Sequence, residues 1–463
     1  MDVVCKESKK GVWFVLEETL PLKQKTFNFT KIVVPILITQ VALYLMTFFD
    51  ILMTGRYDTH DLAGVTIGSS FWTPVYTGLS GIIMGLTPII AQNIGAKMAK
   101  EVRPYVQQGL YVSIALSASV FFIIYFVVMP YIQHMTLEAE VSVVAVNYLK
   151  GMSLGLIPLF AYTVFRSFFD ALGATKISML IILLSAPINI CLNYLLIYGK
   201  LGLPELGGAG AGYASGITYW IVMSIAAFIA WRKRPFQSYV LFGKWERIVF
   251  KRWKEILRIG IPIGLSIFIE TSIFSVVTIL MSNYSTETIS AHQIALNFTS
   301  LLYMLPLSIS MGATIVVGQS VGANRLRDAK QYSLLSVGMA ITFSFISIVV
   351  LLLFKEPIAS LYTTDTAIIK LSAQFFIFAA FFQLSDAVQA PIQGSLRGYK
   401  DVNITFIMAI ISFWLIGLPV GFLTANYSSL GPYGYWVGLI TGLTVGAITL
   451  SFRLRHIQRK RIS

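Results

Sequence analysis

Long apolar stretches, separated by short polar breaks, run along this chain from about Lys31 to Phe452. A helix crossing hydrocarbon needs about 20 mostly apolar residues, because it must satisfy its own backbone groups there. Twelve stretches reach that length: residues 31–55, 63–93, 106–132, 142–165, 177–198, 208–231, 256–282, 288–317, 332–354, 367–395, 402–424 and 432–452. The longer ones predict tilt, or helical ends that continue into water. The breaks are short except for one, from about Trp231 to Arg258.

Composition agrees with an all-α polytopic membrane protein. The 463 residues are 56% hydrophobic and 12% charged, with a mean hydropathy of +0.74. A soluble domain carries about 25% charged residues. Half that density cannot cover a soluble globule, which excludes a soluble enzyme, a disordered chain and a nucleic-acid-binding domain in spite of the net charge of +14. Cys5 and Cys191 give neither a disulfide framework nor a metal cluster.

The positive charge instead marks one side of a membrane. With the N-terminus inside, thirty of the 35 Lys and Arg residues fall on the inner side of the twelve-span count, and only Arg56, Lys150, Lys200, Lys355 and Lys370 fall outside. That is the positive-inside bias, and a missed span would invert it. Both termini are expected in the cytoplasm. Residues 1–30, with Lys6, Lys9, Lys10, Glu17, Glu18, Lys23 and Lys25, lack the features of a secretory signal. They read as a loose cytoplasmic tail, the run Gly11 to Leu16 being alternatively an interfacial segment.

The chain repeats itself with a shift of about 227 residues. Gly85, Thr87, Gln92, Gly95 and Ala96 return as Gly312, Thr314, Gln319, Gly322 and Ala323, where roughly one identity is expected from composition. The same shift carries Pro35 onto Pro262 and Lys31-Ile32 onto Arg258-Ile259, and a shift of 225 pairs Gly173 with Gly398. Six spans per copy predict two parallel bundles related by an axis along the membrane normal. The expected organisation is a tail (1–30), a first lobe (31–231), a cytoplasmic connection (232–257), a second lobe (258–452) and a basic tail (453–463).

Of the 21 acidic residues, Asp50, Glu270 and Asp386 are the three placed well inside spans, and no basic residue is placed deep in one. A charge at the bilayer centre costs a few kcal/mol on insertion scales. Such acids either stay protonated and tie helices together or handle cations. A carboxylate in a poorly solvated cavity holds its proton more tightly, so a proton, Na⁺ and a cationic substrate can compete for it. Three acids spread over both halves favour cation handling. Gln293, Asn297 and Ser300 share one face of the eighth span, and Tyr303 lies roughly 80° round from Gln293. Gln383 precedes Asp386 by one turn, with Pro391 beyond, and Asn189 and Asn193 follow Pro187. Phe48, Phe49, Trp72 and Tyr162 are candidate cavity aromatics.

At these residues the chain resembles the multidrug and toxin extrusion (MATE) transporters of the NorM-type branch. The resemblance rests on Phe49-Asp50-Ile51-Leu52-Met53-Thr54-Gly55-Arg56, Glu270, Ala291-His292-Gln293-Ile294-Ala295-Leu296-Asn297, Ser385-Asp386-Ala387-Val388-Gln389, Gly394-Ser395-Leu396-Arg397-Gly398-Tyr399-Lys400-Asp401 and Pro204-Glu205-Leu206-Gly207-Gly208. It implies a drug efflux antiporter driven by Na⁺ or H⁺, exporting cationic or amphiphilic drugs and dyes, with no other cofactor and acting as a monomer. It implies cation coupling at Glu270 and Asp386, a possible Na⁺ site, with Gln293 and Tyr303 at cation- or drug-binding positions. Asp50 matches the acid of the first lobe, and Asn189 and Asn193 the polar pair facing it. Related branches carry an acid where this chain has Asn193, and some relatives a tyrosine where it has Phe382.

Two other functions fit less well. A flippase for lipid-linked precursors, from the same wider superfamily, calls for basic residues in the cavity. An intramembrane enzyme calls for clustered ligands, but His60, His134, His292 and His456 are scattered. The chain has no GxxxxGK[ST] loop for ATP. The run Gly207 to Gly212 lacks GxGxxG spacing and is expected to serve close helix packing.

Overall fold

A computed structural model describes residues 20–135 and 137–462. Lys6, Lys9, Lys10, Glu17, Glu18 and the run Gly11 to Leu16 lie outside the described residues. Eleven helices are long and apolar enough to span a membrane, and a pair bent by 47° makes a twelfth. In chain order they are α1 (Leu22–Tyr57), α2 (Thr59–Gly95), α3 (Ala99–His134), α4 (Ala139–Leu154 and Leu156–Ala171), α5 (Thr175–Ile197) and α6 (Gly208–Arg232). The second six are α7 (Phe250–Met281), α8 (Thr286–Gly322), α9 (Leu326–Leu353), α10 (Thr366–Gly398), α11 (Asn403–Tyr427) and α12 (Tyr433–Ile462). The count matches the sequence expectation. Helix ends overshoot it, because a helix that leaves hydrocarbon continues until a cap or a left-handed residue stops it.

Those overshoots alter the expected boundaries. Residues 22–30, expected in the tail, form the first turns of α1. Residues 250–257, expected in the connection, begin α7, and residues 453–462 continue α12. The chain packs as two compact units, one comprising Ile38–Gly264 and the other residues 20–37 together with Leu265 onward. The first turns of α1 therefore pack with the second half of the sequence, and the first turns of α7 with the first half.

An ion pair forms at each exchanged end, buried in one unit and half-buried in the other. The Lys25 ammonium, 2% exposed, donates to Asp328 Oδ1 at 2.5 Å and also to Gln331. In the other unit, Arg252 reaches Glu101 at 3.1 Å and Glu246 at 2.6 Å. The repeat shift superposes Lys25 on Arg252 and Asp328 on Glu101, so one ancestral contact survives in both copies. A second contact repeats as well. A Cβ on Gly85 would stand 2.7 Å from Gly260 Cα, and one on Gly312 would stand 2.7 Å from Val33, the repeat equivalent of Gly260. Any side chain at Gly85 would push α2 off α7.

Helix ends repeat too. Lys97 and Asn324 are both left-handed, at φ 59° and 57°, as are Gly173 and Lys400, at φ 75° and 61°. Gly173 thus corresponds to Lys400 under the common shift; its sequence match to Gly398 is two residues out of register. The expected packing role of the glycine run holds, since a Cβ on Gly212 would lie 2.3 Å from the Tyr148 carbonyl oxygen.

The long connection is docked rather than loose. Gln107 and Gln108 of α3, both fully buried, clamp it with their amides. Gln107 donates to the Leu241 carbonyl at 2.8 Å and accepts from the Glu246 N–H at 3.2 Å. Gln108 donates to the Arg247 carbonyl at 2.9 Å and accepts from the Val249 N–H at 3.0 Å. Phe236 and Leu241 are buried beside them.

Removing one partner of a buried pair leaves the other charge uncompensated, which costs about 3–5 kcal/mol. Lys25→Ala is therefore expected to lower the melting temperature of the purified protein sharply, while Lys25→Met combined with Asp328→Leu recovers most of the loss. Equal melting of Lys25→Ala and wild type would show that the pair contributes nothing.

Candidate functional site

The first unit builds a closed polar circuit around Asp50, which α1 presents half-buried. Asn193 Nδ2 donates to Asp50 Oδ1 at 2.5 Å and to Asn189 Oδ1 at 3.1 Å. Asn189 Nδ2 donates to Ser215 Oγ at 3.3 Å, and Ser215 Oγ donates to Asp50 Oδ2 at 3.4 Å. Asn189 and Asn193, one turn apart on α5, are both fully buried, so their amides are confined to these partners. Every bond in the circuit runs toward Asp50, which suits a carboxylate that only accepts. Asn193 Oδ1 has no hydrogen-bond partner among the described residues. The sequence pairing of Asp50 with Asn189 and Asn193 is thus realised in space. Ser215 of α6 was not singled out; no spacing rule connects it to Asp50, 165 residues away.

The second unit arranges its acids differently. Glu270 of α7 is half-buried and accepts from Gln393 Nε2 of α10 at 2.5 Å. Asp386, on α10, is 5% exposed, and its Oδ2 has no hydrogen-bond partner among the described residues. The charges of Glu270 and Asp386 interact, and the half-buried Tyr303 of α8 lies within the field of both. Glu270, Asp386 and Tyr303 thus lie within electrostatic range of one another, with no hydrogen bond among the three. Gln383, 2% exposed, lies one turn from Asp386 but donates to the Thr299 carbonyl at 3.3 Å.

Gln293 and Asn297 do not join this cluster. Both are exposed side chains on α8, and Asn297 Oδ1 accepts from the Tyr362 hydroxyl at 3.1 Å. Gln293 is ten residues from Tyr303, about 15 Å along a helix. Their helical spacing set a shared face correctly but said nothing about depth.

One expectation needs correction. Arg397, counted from the sequence with the loop residues, lies in the last turn of α10 with 7% exposure. Counting it as a loop residue missed that α10 continues to Gly398 and keeps its inward face to the end. Gln393 was also missed, though its place seven residues after Asp386 puts both on one face.

The aromatics divide. Trp72 and Tyr162 are buried, with Trp72 stacked on Tyr76 at a centroid distance of 6.4 Å, whereas Phe48 is 51% exposed. Phe382 packs edge-on against Phe274 and Trp436, at 5.9 and 6.1 Å. His292, fully buried, accepts from Trp436 Nε1 at 3.1 Å and pairs with Thr278. It is a packing residue, as expected. No group of three or more His, Cys, Asp or Glu residues able to hold a metal occurs among the described residues.

Comparison with known proteins agrees with this architecture. The MatE family model matches the chain twice, over residues 35–195 and 262–423; the matches begin at Pro35 and Pro262, which the repeat shift superposes. A probable multidrug resistance protein NorM of Halalkalibacterium halodurans is 54% identical over 446 residues, covering 96% of this chain and 97% of its own. One of the same description from Bacillus subtilis is 50% identical over 445 residues, covering 96% and 98%. The outward-facing conformation of a multidrug resistance MATE family transporter superposes with a TM-score of 0.88 at 19% identity, over 98% of this chain and 99% of its own. A eukaryotic MATE transporter gives 0.84 at 20%, over 95% and 98%. At these identities the two structures speak for the fold.

The Asp50 circuit predicts a specific loss. Ser215→Ala leaves the buried Asn189 amide without its acceptor, at about 1–3 kcal/mol. Ser119→Ala, at an exposed serine that bonds within its own helix, is the control. Thermal unfolding that does not separate the two variants would show that the circuit carries no stability.

Proposed function

The chain belongs to the MatE family, and we propose that it is an efflux antiporter that exports cationic or amphiphilic organic compounds in exchange for Na⁺ or H⁺. The observation that carries this reading is the carboxylate of Asp386, 5% exposed with one oxygen free of hydrogen bonds among the described residues, beside a second acid. Hydrocarbon does not tolerate a bare charge there, so Asp386 carries a cation whenever it is ionised. Carboxylate and phenol oxygens, from Asp386, Glu270 and Tyr303, suit a hard monovalent cation or a proton. A cationic compound entering the same field competes with that cation, and this competition couples the two fluxes.

The protein sits in a bacterial inner membrane as a monomer, with both termini in the cytoplasm. Supporting that orientation, the basic last turn of α12 (Arg459, Lys460, Arg461) lies at the end where the positive-inside bias puts cytoplasm. Alternating access moves the substrate from one side to the other. Asp50, with donors already directed at it, is the acid of the first unit in this cycle, and Asn189 and Asn193 hold it.

Dye efflux from vesicles, with Na⁺ and pH gradients imposed separately, tests the reading. One gradient is expected to drive efflux, and Asp386→Asn to abolish it at normal expression. If neither gradient drives efflux, antiport fails; if well-expressed Asp386→Asn exports dye normally, the role of Asp386 fails.

A further inference from the structure

The docked connection carries chemistry that the cycle above does not use. From Arg232 to Arg258 the chain has nine basic residues and two acidic ones. Both acids are engaged within the first unit: Glu246 pairs with Arg252 at 2.6 Å, and Glu255 accepts from the Tyr105 hydroxyl at 2.5 Å. Lys244, Arg247 and Lys251 are exposed, and their side chains make no hydrogen bond or ion pair among the described residues. Large apolar side chains stand exposed between and beside them: Val240, Phe242, Trp245 at 45%, Ile248 and Phe250 at 78%.

Backbone anchoring produces this arrangement. Besides the four bonds from Gln107 and Gln108, Arg103 donates to the Lys244 carbonyl, and the Tyr111 hydroxyl donates to the Glu246 carbonyl at 3.1 Å. The polar backbone from Leu241 to Val249 is thus satisfied by α3. Gln107, Gln108 and Tyr111 lie in the first turns of the apolar span expected from residue 106, so the strap runs beside α3 where that helix enters the membrane. Non-helical backbone is tolerated at such a depth only where protein satisfies it, as it is here. At the boundary of headgroups and acyl chains, apolar and aromatic side chains insert while Lys and Arg reach the headgroups. Water would leave the five apolar side chains uncovered.

We propose that residues 240–251 form an interfacial anchor for anionic phospholipid, with Lys244, Arg247 and Lys251 on the headgroup phosphates and Trp245, Ile248 and Phe250 at the acyl boundary. Charge selects the occupant. Three unpaired cationic side chains, with the two acids of the connection already engaged, attract an anionic lipid and gain little from a zwitterionic one. Because α3 fixes the strap before any lipid arrives, binding has no backbone to order. The strap occurs once in the duplicated chain, so the anchor sits on the first unit. This inference stands apart from the antiporter reading and does not depend on it.

Trp245 reports its own surroundings and so supplies the test. The full chain is reconstituted in phosphatidylcholine vesicles with a rising fraction of either brominated phosphatidylglycerol or brominated phosphatidylcholine. The signal of Trp245 is the difference in fluorescence between wild type and Trp245→Phe. Half-quenching is expected at a mole fraction of brominated phosphatidylglycerol at least about threefold below that of brominated phosphatidylcholine. Lys244→Gln/Arg247→Gln/Lys251→Gln, read by the same difference, is expected to lose that preference. Lys330→Gln/Arg455→Gln/Lys460→Gln, which removes as much charge from exposed positions of the other unit, is expected to keep it. Equal quenching by the two lipids in wild type overturns the anchor. Quenching by neither also overturns it, since the apolar face would then belong to water or to another protein. Loss of the preference in both triple variants overturns the assignment to these three residues. The wild-type comparison decides the matter even where a triple variant fails to fold.

Discussion

Hydrocarbon offers no partner to a polar group, and most of what this chain does follows from that. Backbone groups are satisfied inside helices, which dictates twelve spans. Charged side chains must find each other, and the ways they do so define the units. Lys25 with Asp328, Arg252 with Glu101 and Glu246, and Arg166 with Asp170 are each closed locally. Asp50 is closed by amides and a hydroxyl. Asp386 Oδ2 has no partner among the described residues, and neither has Asp328 Oδ2; but Asp328 holds Lys25 through its other oxygen, whereas Asp386 makes no ion pair there. In the antiporter proposed above, a transported cation is the partner that Asp386 lacks.

Duplication explains why so many contacts come in pairs and what the exceptions mean. The helix starts, the left-handed residues and the Gly85 and Gly312 approaches recur at one shift because they set backbone paths, which both copies share. What differs is side-chain charge at fixed backbone positions. Gln107 and Gln108 have no second-half counterpart, their repeat positions being Leu334 and Leu335. The connection they clamp exists only once, so its ligands are needed only once. Arg166 and Asp170 against Gln393 and Arg397 is the other exception: the first half keeps an ion pair at these positions, and the second replaces it with an amide and a guanidinium.

Legibility in the sequence divides along a similar line. The spans, their number and the repeat were readable because each rests on periodic or cumulative signals over tens of residues. Asp50, Glu270 and Asp386 were readable because charge in an apolar run is costly and therefore rare. Asn189 and Asn193 were readable from helical spacing beside a proline. Ser215, Gln393 and the partners of Lys25 were not, since contacts across 100 to 300 residues leave no local trace. Arg397 was misplaced for a different reason. Sorting basic residues by side worked so well that a buried arginine at a helix end was counted with the solvated ones. Side and depth are separate quantities, and the positive-inside bias reports only the first.

The two units therefore hold their acids in opposite ways. Around Asp50 the donors are neutral and already directed at the carboxylate, so both of its oxygens are satisfied without a cation. Around Asp386 no such set of donors occurs among the described residues, and one of its carboxylate oxygens is left without a partner. A site of the first kind is stable in itself and gains little from a cation. A site of the second kind is incomplete until one enters, so its free energy changes more on binding. An ion can shift a conformational equilibrium only by its difference in affinity between states, and the larger difference belongs to the site that cannot close itself. In the antiporter proposed above, coupling accordingly belongs to the second unit, and the Asp50 circuit, self-satisfied, is the steadier partner.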